Sequence, residues 1–316
     1  MTWFLLRRAA LLVLSLALAS VAVFALLRLL PGDLASAIGG IEATPEQIAR
    51  IRHDLGADRP LLTQYASWMN GVLHGDFGHS QLNGTSVSAE LGRKLQVTVP
   101  LALGALVVAG FVAVPLGTWS AVRHRQASGV AVSALAQLGI AVPALWLALL
   151  LVAVFAVQLR WLPAQGFPVD GWEQPGAAVR SLVLPWLALG ITEGAVLLRF
   201  VRSAVLEVLQ SDFLRTARAK GNTRAQALRR HGFRNAALPV VSLLGLQLAA
   251  LIGGAVVIEQ VFTLPGVGSM LITDVGNRDL VKVQGELLLV VAAVLVIGFL
   301  IDVAHRLIDP RLVHPR

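Results

Sequence analysis

The chain has 316 residues, of which 56% are hydrophobic and 14% charged, against about 45–50% and about 25% for an ordinary soluble domain. That balance excludes a typical soluble enzyme, and the absence of cysteine excludes disulfides, thiolate nucleophiles and thiolate metal sites. The net charge of +8 sits mostly on arginines beside apolar runs with few aromatics among them, which reports membrane topology rather than a nucleic-acid partner.

Six runs free or nearly free of charge, Ala9–Leu27, Val97–Val122, Gln126–Leu159, Ser181–Leu198, Asn235–Ile258 and Leu287–Ile301, predict six spanning helices, since about 20 apolar residues cross a hydrocarbon core about 30 Å thick. The first follows Arg7 and Arg8, and no Ala-x-Ala pattern follows its end at Leu30-Pro31-Gly32-Asp33. It reads as an uncleaved signal anchor. Two runs are weak: the last has 15 residues between Glu286 and Asp302, and the fourth contains Glu193.

Charge sidedness supports both. Six crossings with the N-terminus inside place 16 basic residues in the cytoplasm against four acids, Glu207, Asp212, Asp302 and Asp309. Nine of those basic residues lie between Arg199 and Arg234. Without a crossing by the fourth run, that cluster would lie outside, against the positive-inside tendency. The expected fold is therefore an all-α polytopic membrane protein with six transmembrane helices and both termini cytoplasmic. Its expected divisions are a first helix over residues 1–30, an external helical loop over 31–96 and a core domain over 97–316.

Within the external loop, Thr44 is an N-cap, Pro45 fits the first helical position, Gln47 completes a capping box and Gly56 ends the helix. A second short helix, Leu61–Leu73, carries Tyr65, Trp68, Met69 and Val72 on one side; packing on the bundle explains that face better than solute contact. His74 and His79 flank Gly75-Asp76-Phe77-Gly78, an incomplete metal site that reads as a structured turn. The loop near residues 160–180 holds interfacial tryptophans and turn-forming prolines, with no chemistry implied.

The internal segment over residues 203–234 is too polar for lipid, yet Val205, Leu206, Leu209 and Phe213 recur at helix spacing. Lys220-Gly221-Asn222-Thr223 reads as a turn, and a short basic helix follows from Arg224 to about Phe233. Such a knob either docks a cytoplasmic partner or rests on anionic lipid.

Reactive motifs are missing. Lys94, Lys220 and Lys282 sit in Arg-Lys-Leu, Ala-Lys-Gly and Val-Lys-Val, so none closes a P-loop, and neither His-Glu-x-x-His nor Gly-x-Ser-x-Gly occurs. Glu193 is the one carboxylate deep in an apolar run, a candidate for the translocation path. Pairing with a neighbouring helix or capping a backbone kink is the structural alternative. Glu259 and Arg199, nearer their helix ends, are explained by snorkelling.

Three stretches of the knob resemble one known family: Arg202-Ser203-Ala204-Val205-Leu206-Glu207-Val208-Leu209, Phe213-Leu214-Arg215-Thr216-Ala217-Arg218-Ala219-Lys220-Gly221, and Arg230-His231-Gly232-Phe233-Arg234-Asn235-Ala236-Ala237-Leu238-Pro239. The family is the permease subunits of ATP-binding-cassette importers, and within it the dipeptide, oligopeptide and nickel group. The knob is similar to the loop these importers use to grip their ATPase, with Arg215 in place of the usual Glu and a longer Gly-to-Pro spacing, as is common in the peptide group. The resemblance extends to Gly75-Asp76-Phe77-Gly78-His79-Ser80, to the stretch from Gly253 to Gly268, and to Asp309-Pro310-Arg311. Leu280-Val281 and His305 depart from it.

The resemblance implies a type I importer permease fold and a multi-pass location in the cell inner membrane. It implies three kinds of protein partner: a second, similar permease, two ATPase subunits that carry ATP and Mg, and an extracytoplasmic solute-binding protein. This chain then needs no cofactor. Coupling falls to Arg215, Thr216, Ala217, Arg218, Ala219, Lys220, Gly221, Arg224, Arg230 and Pro239, and the solute is expected to be a di- or oligopeptide, with nickel and glutathione as other family cargoes. The competing reading is an ion-coupled secondary transporter using Glu193.

Overall fold

Apolar length and helix-compatible spacing dictate the architecture, and the computed structural model bears this out over the residues it describes, 2–29, 43–54, 58–80, 82–228 and 232–308. In chain order the helices are α1 (Thr2–Leu29), α2 (Pro45–Asp54), α3 (Leu61–Leu73), α4 (Val87–Val122), α5 (Ala127–Ala141), α6 (Ala144–Leu151), α7 (Pro175–Gln210), α8 (Asp212–Ala219), α9 (Arg224–Ala227), α10 (Phe233–Val261), α11 (Val267–Asn277) and α12 (Leu280–Ile308). A π-helical stretch, Val152–Gln158, prolongs α6, and Gly171–Glu173 forms a single 3-10 turn. Helices α1, α4, α7, α10 and α12 are long and apolar enough to cross a membrane.

A single crossing over Gln126–Leu159 is corrected to a broken one. Helices α5 and α6 meet at 100°. Val142 precedes Pro143 and is held in an extended conformation, φ −86° and ψ 118°, because the proline ring clashes with a helical residue before it. The pair makes a sixth crossing when counted as one span. The second apolar run is also longer than its charges suggest: α4 starts at Val87, ten residues before Val97.

The chain divides into two compact units. The first comprises Met1–Leu5, Val99–Leu264 and Ile297–Arg316. Its centre is a seam of small side chains between α4 and α7: Leu101, Ala105, Ala109 and Ala113 recur every fourth residue and are fully buried. A methyl group on Gly190 of α7 would lie 2.5 Å from the Val108 Cβ, and one on Gly194 would lie 3.2 Å from the Ala109 Cα. In lipid, helices gain little from apolar burial alone, so such close backbone approach supplies the packing. Trp186 closes the seam, its indole N–H donating to the Pro100 carbonyl at 3.0 Å.

The second unit comprises Leu6–Thr98 and Pro265–Val296. Val87, Leu91, Val267 and Met270 form one core with Phe77, Leu95 and Val281 against it; Val23, Leu27 and Val283 form another with Leu280. Leu280 and Val281 are thus packing residues. The capping box forms as expected, the Thr44 N–H donating to Gln47 Oε1 at 2.8 Å and the Gln47 N–H to Thr44 Oγ1 at 3.3 Å. Gly56 lies outside the described residues. Tyr65 and Trp68 of α3 pack on Phe24 of α1 with ring centroids 5.5 and 6.1 Å away, and the Tyr65 hydroxyl bonds Ser20 at 2.8 Å. The aromatic face of α3 is a packing face.

Candidate functional site

At Ser211 the backbone turns extended and ends α7, while its carbonyl starts α8 by accepting from the N–H groups of Leu214 and Arg215 at 3.2 and 3.3 Å. Helix α8 stops where Gly221 adopts φ +92°, a left-handed conformation that costs a residue with a Cβ about 1–2 kcal/mol. Asn222 locks this turn, its backbone and side-chain N–H groups both donating to the Ala217 carbonyl at 3.3 and 3.1 Å. Thr223 then caps α9 reciprocally with Gln226, at 3.0 and 3.2 Å, a second capping box.

This helix-turn-helix is pinned at both ends. Leu214, Ala217 and Ala227 bury together with Leu209 of α7 against them. Leu228 packs beside Val205 and Val208 in the core of the first unit, and a methyl group on Gly232 would lie 2.6 Å from the Leu228 Cδ1. The opposite face is open: Phe213, Arg215, Thr216, Ala219, Lys220 and Gly221 are exposed, and Arg215 makes only a long, solvent-facing ion pair with Asp212 at 3.5 Å. Ala217 points into the knob's own interior instead of its open face. Arg218, Arg224 and Pro239 stand on helical backbone, and Arg230 lies outside the described residues. The short basic helix expected from Arg224 to about Phe233 is seen over Arg224–Ala227, and residues 229–231 lie outside the described residues.

Glu193 is half-buried near the middle of α7. Its main-chain carbonyl accepts from the side-chain amide of Gln247 on α10 at 2.8 Å. Pairing with a neighbouring helix is therefore real, and sequence spacing could not have indicated Gln247, 54 residues away. Snorkelling fails for Glu259, which is fully buried in α10; its carbonyl accepts from the Leu264 N–H at 2.8 Å as the chain reverses. Arg199 is exposed, its guanidinium 5.2 Å from the Phe200 ring centre, as snorkelling predicts.

A charged cluster in the second unit escaped sequence reading. Lys282 of α12 is nearly buried and pairs with Glu90 of α4 at 2.8 Å and Asp274 of α11 at 3.7 Å. Asp279 accepts a hydrogen bond from Ser80 at 2.5 Å, and Glu286 is fully buried with no donor on either carboxyl oxygen. A signal was present: Asp279, Lys282 and Glu286 stand at i, i+3 and i+7, one face of a helix. Nearby, His74 Nδ1 bonds the Asn70 carbonyl at 2.7 Å and His79 bridges Ser86, the structured turn expected there. Among the described residues no group of three His, Cys, Asp or Glu is arranged to hold a metal.

Membrane-length helices threaded by an apolar seam, together with a polar helix-turn-helix built on one of them, define a multi-pass membrane protein. The family described as the binding-protein-dependent transport system inner membrane component matches residues 113–314, and its N-terminal counterpart matches residues 1–102. The chain belongs to this family: it is a transport permease of the inner membrane, not an enzyme. It is 39% identical over 311 residues, 98% of this chain and 99% of the other, to a protein of Brucella suis biovar 1 provisionally named a peptide transport system permease. It is 38% identical over 308 residues, 97% of each chain, to the glutathione transport system permease protein GsiC of Salmonella typhimurium.

Proposed function

We propose that this chain forms half of the translocation path of an ATP-driven importer for di- or oligopeptides. A second, similar permease completes the path, an extracytoplasmic binding protein delivers the peptide, and two cytoplasmic ATPases holding ATP and Mg drive alternating access. Both termini and the knob over 203–234 face the cytoplasm, residues 31–96 form the outer loop, and residues 97–316 form the core. Peptide is preferred over nickel because relatives named for peptide transport and for glutathione transport both match from end to end, and glutathione is itself a tripeptide.

The observation that carries the coupling role is the knob's construction: rigid inside, pinned to α7 and to the start of α10, and open on the face carrying Arg215, Thr216, Ala219 and Lys220. A partner that moves this face moves two membrane helices as a body. Arg218, Arg224, Arg230 and Pro239 share the segment, and Ala217 sets its internal packing.

The test is expression of the tagged chain with its neighbouring genes, followed by mass spectrometry and peptide uptake, in wild type and Gly221→Trp. Recovery of an ATP-binding subunit and a second permease is expected from wild type. The variant is expected to retain the second permease and to lose the ATPase or its coupling to uptake. Full uptake by the variant overturns the assignment of the knob. Uptake driven by an ion gradient without ATP restores the secondary-transporter reading.

A further inference from the structure

Gln247 is 4% exposed, yet only part of its amide is satisfied. A carbonyl oxygen accepts only from the NH2 end, so the bond to the Glu193 main chain fixes which way the amide is turned. Oε1 is then the remaining end, and it is buried without a donor. Buried acceptors are rarely left so, because desolvation is uncompensated unless a donor arrives. Glu193, whose main chain takes that bond, also carries a half-buried carboxyl on an apolar stretch of α7. Thr192, the adjacent hydroxyl, is committed to the Ala188 carbonyl at 2.9 Å. Two acceptor groups, one of them a carboxyl, thus belong to residues joined by one hydrogen bond, near where Gly190 and Gly194 bring α4 close.

We propose that Glu193 and Gln247 form a subsite for a primary ammonium group of the transported solute, the carboxylate supplying charge and Oε1 a hydrogen-bond acceptor. An ammonium has three donors on a compact cation and satisfies both. A divalent metal ion fits poorly, since hard cations gather six or more oxygens and this place offers few. Under the peptide reading above, on which this inference rests, the group is the α-ammonium of the peptide. Gln247 then has two duties: its NH2 positions α10 against α7, and its oxygen reads the cargo.

The experiment uses the whole importer, reconstituted with its partner permease, ATPases and binding protein in phosphatidylethanolamine and phosphatidylglycerol vesicles. A mixture of di- to pentapeptides and its N-acetylated counterpart are each supplied at equal binding-protein occupancy, and internalised peptide is read by mass spectrometry. Wild type is expected to favour the free-amine peptides by about tenfold, in keeping with loss of a partner to a buried charge. Glu193→Gln and Gln247→Leu are expected to bring that ratio towards one, and Glu193→Asp to restore part of it. Variants that keep the wild-type ratio overturn the subsite, whether uptake is unchanged or both mixtures fall together through a packing defect. Absence of any peptide uptake by the assembled wild-type importer overturns the peptide reading instead, and the ammonium assignment with it.

Discussion

The knob over Asp212–Leu228 and the charged cluster around Lys282 use the same side chains in opposite ways. In the knob, Arg215, Asp212 and Lys220 stand in solvent on a base of buried Leu214, Ala217 and Ala227. Around Lys282 the polar groups are themselves part of the interior: Glu90 and Asp274 lie close to its ammonium group, and Asp279 and Glu286 are buried along the same stretch of chain. Exposed charges cost little to keep and stabilise little, so they are free for a partner. Buried charges are held by one another, and removing one strands the rest. The knob is therefore the place to look for recognition, and the cluster the place to look for stability.

The largest expected effect tests the cluster. Lys282→Met leaves Glu90 and Asp274 without their cation and is expected to cost about 3–5 kcal/mol, read as loss of protease-resistant protein in membranes. Adding Glu90→Leu to it is expected to recover part of that loss, and strict additivity of the two changes breaks the account of a coupled pair. Next comes Gly104→Ala in the α4–α7 seam, where the new methyl group would lie 2.1 Å from the Trp186 indole nitrogen. Overpacking of this kind costs about 1–3 kcal/mol and is read by thermal unfolding in detergent. Thr223→Ala removes one half of the capping box at α9 and is expected to cost about 1 kcal/mol, read as faster hydrogen exchange confined to the knob. Arg215→Ala is expected to change stability by less than about 1 kcal/mol while weakening recovery of the ATPase. The reverse outcome, stability lost and docking kept, breaks the comparison.

The smallest effect concerns Asp58, whose carboxyl is held below its ordinary range chiefly by a hydrogen bond to His53, 2.7 Å away. A carboxyl depressed on folding contributes above its unfolded pKa of about 3.9, and that contribution is lost as pH falls through the folded value. Exchange at α2 is expected to speed up over that acidic range in wild type and to be flat in Asp58→Asn. Both groups face solvent, so global unfolding is expected to be unmoved.

What the sequence made legible was whatever depends on near neighbours. The capping box at Thr44 and Gln47, the extent of α3, the turn at Gly221 and the apolar crossings all follow from residues within a few positions of one another. The break at Pro143 is equally local, and its signal, a proline after a β-branched residue inside an apolar run, lay in plain view. The early start of α4 was hidden because Glu90, Arg93 and Lys94 read as loop charges; Glu90 finds its partner 192 positions away at Lys282. Gln247, the buried position of Glu259 and the bond from Ser80 to Asp279 were beyond reach for the same reason. Polar groups in a membrane protein are positioned by remote partners, and periodicity carries no record of them.

One more consequence lies in α7. Its helix runs from Glu193 to the edge of the knob at Gln210 with no proline or break, a distance of about 26 Å at 1.5 Å per residue. A tilt of about 10° pivoting at Gly190 would swing Gln210 through about 5 Å and carry Glu193 through under 1 Å. The helix is in effect a crank with a long arm towards the knob and a short arm towards the mid-membrane carboxylate. Under the proposed coupling, a coarse movement of the knob would become a fine, forceful adjustment at Glu193, with no break in the helix between the two.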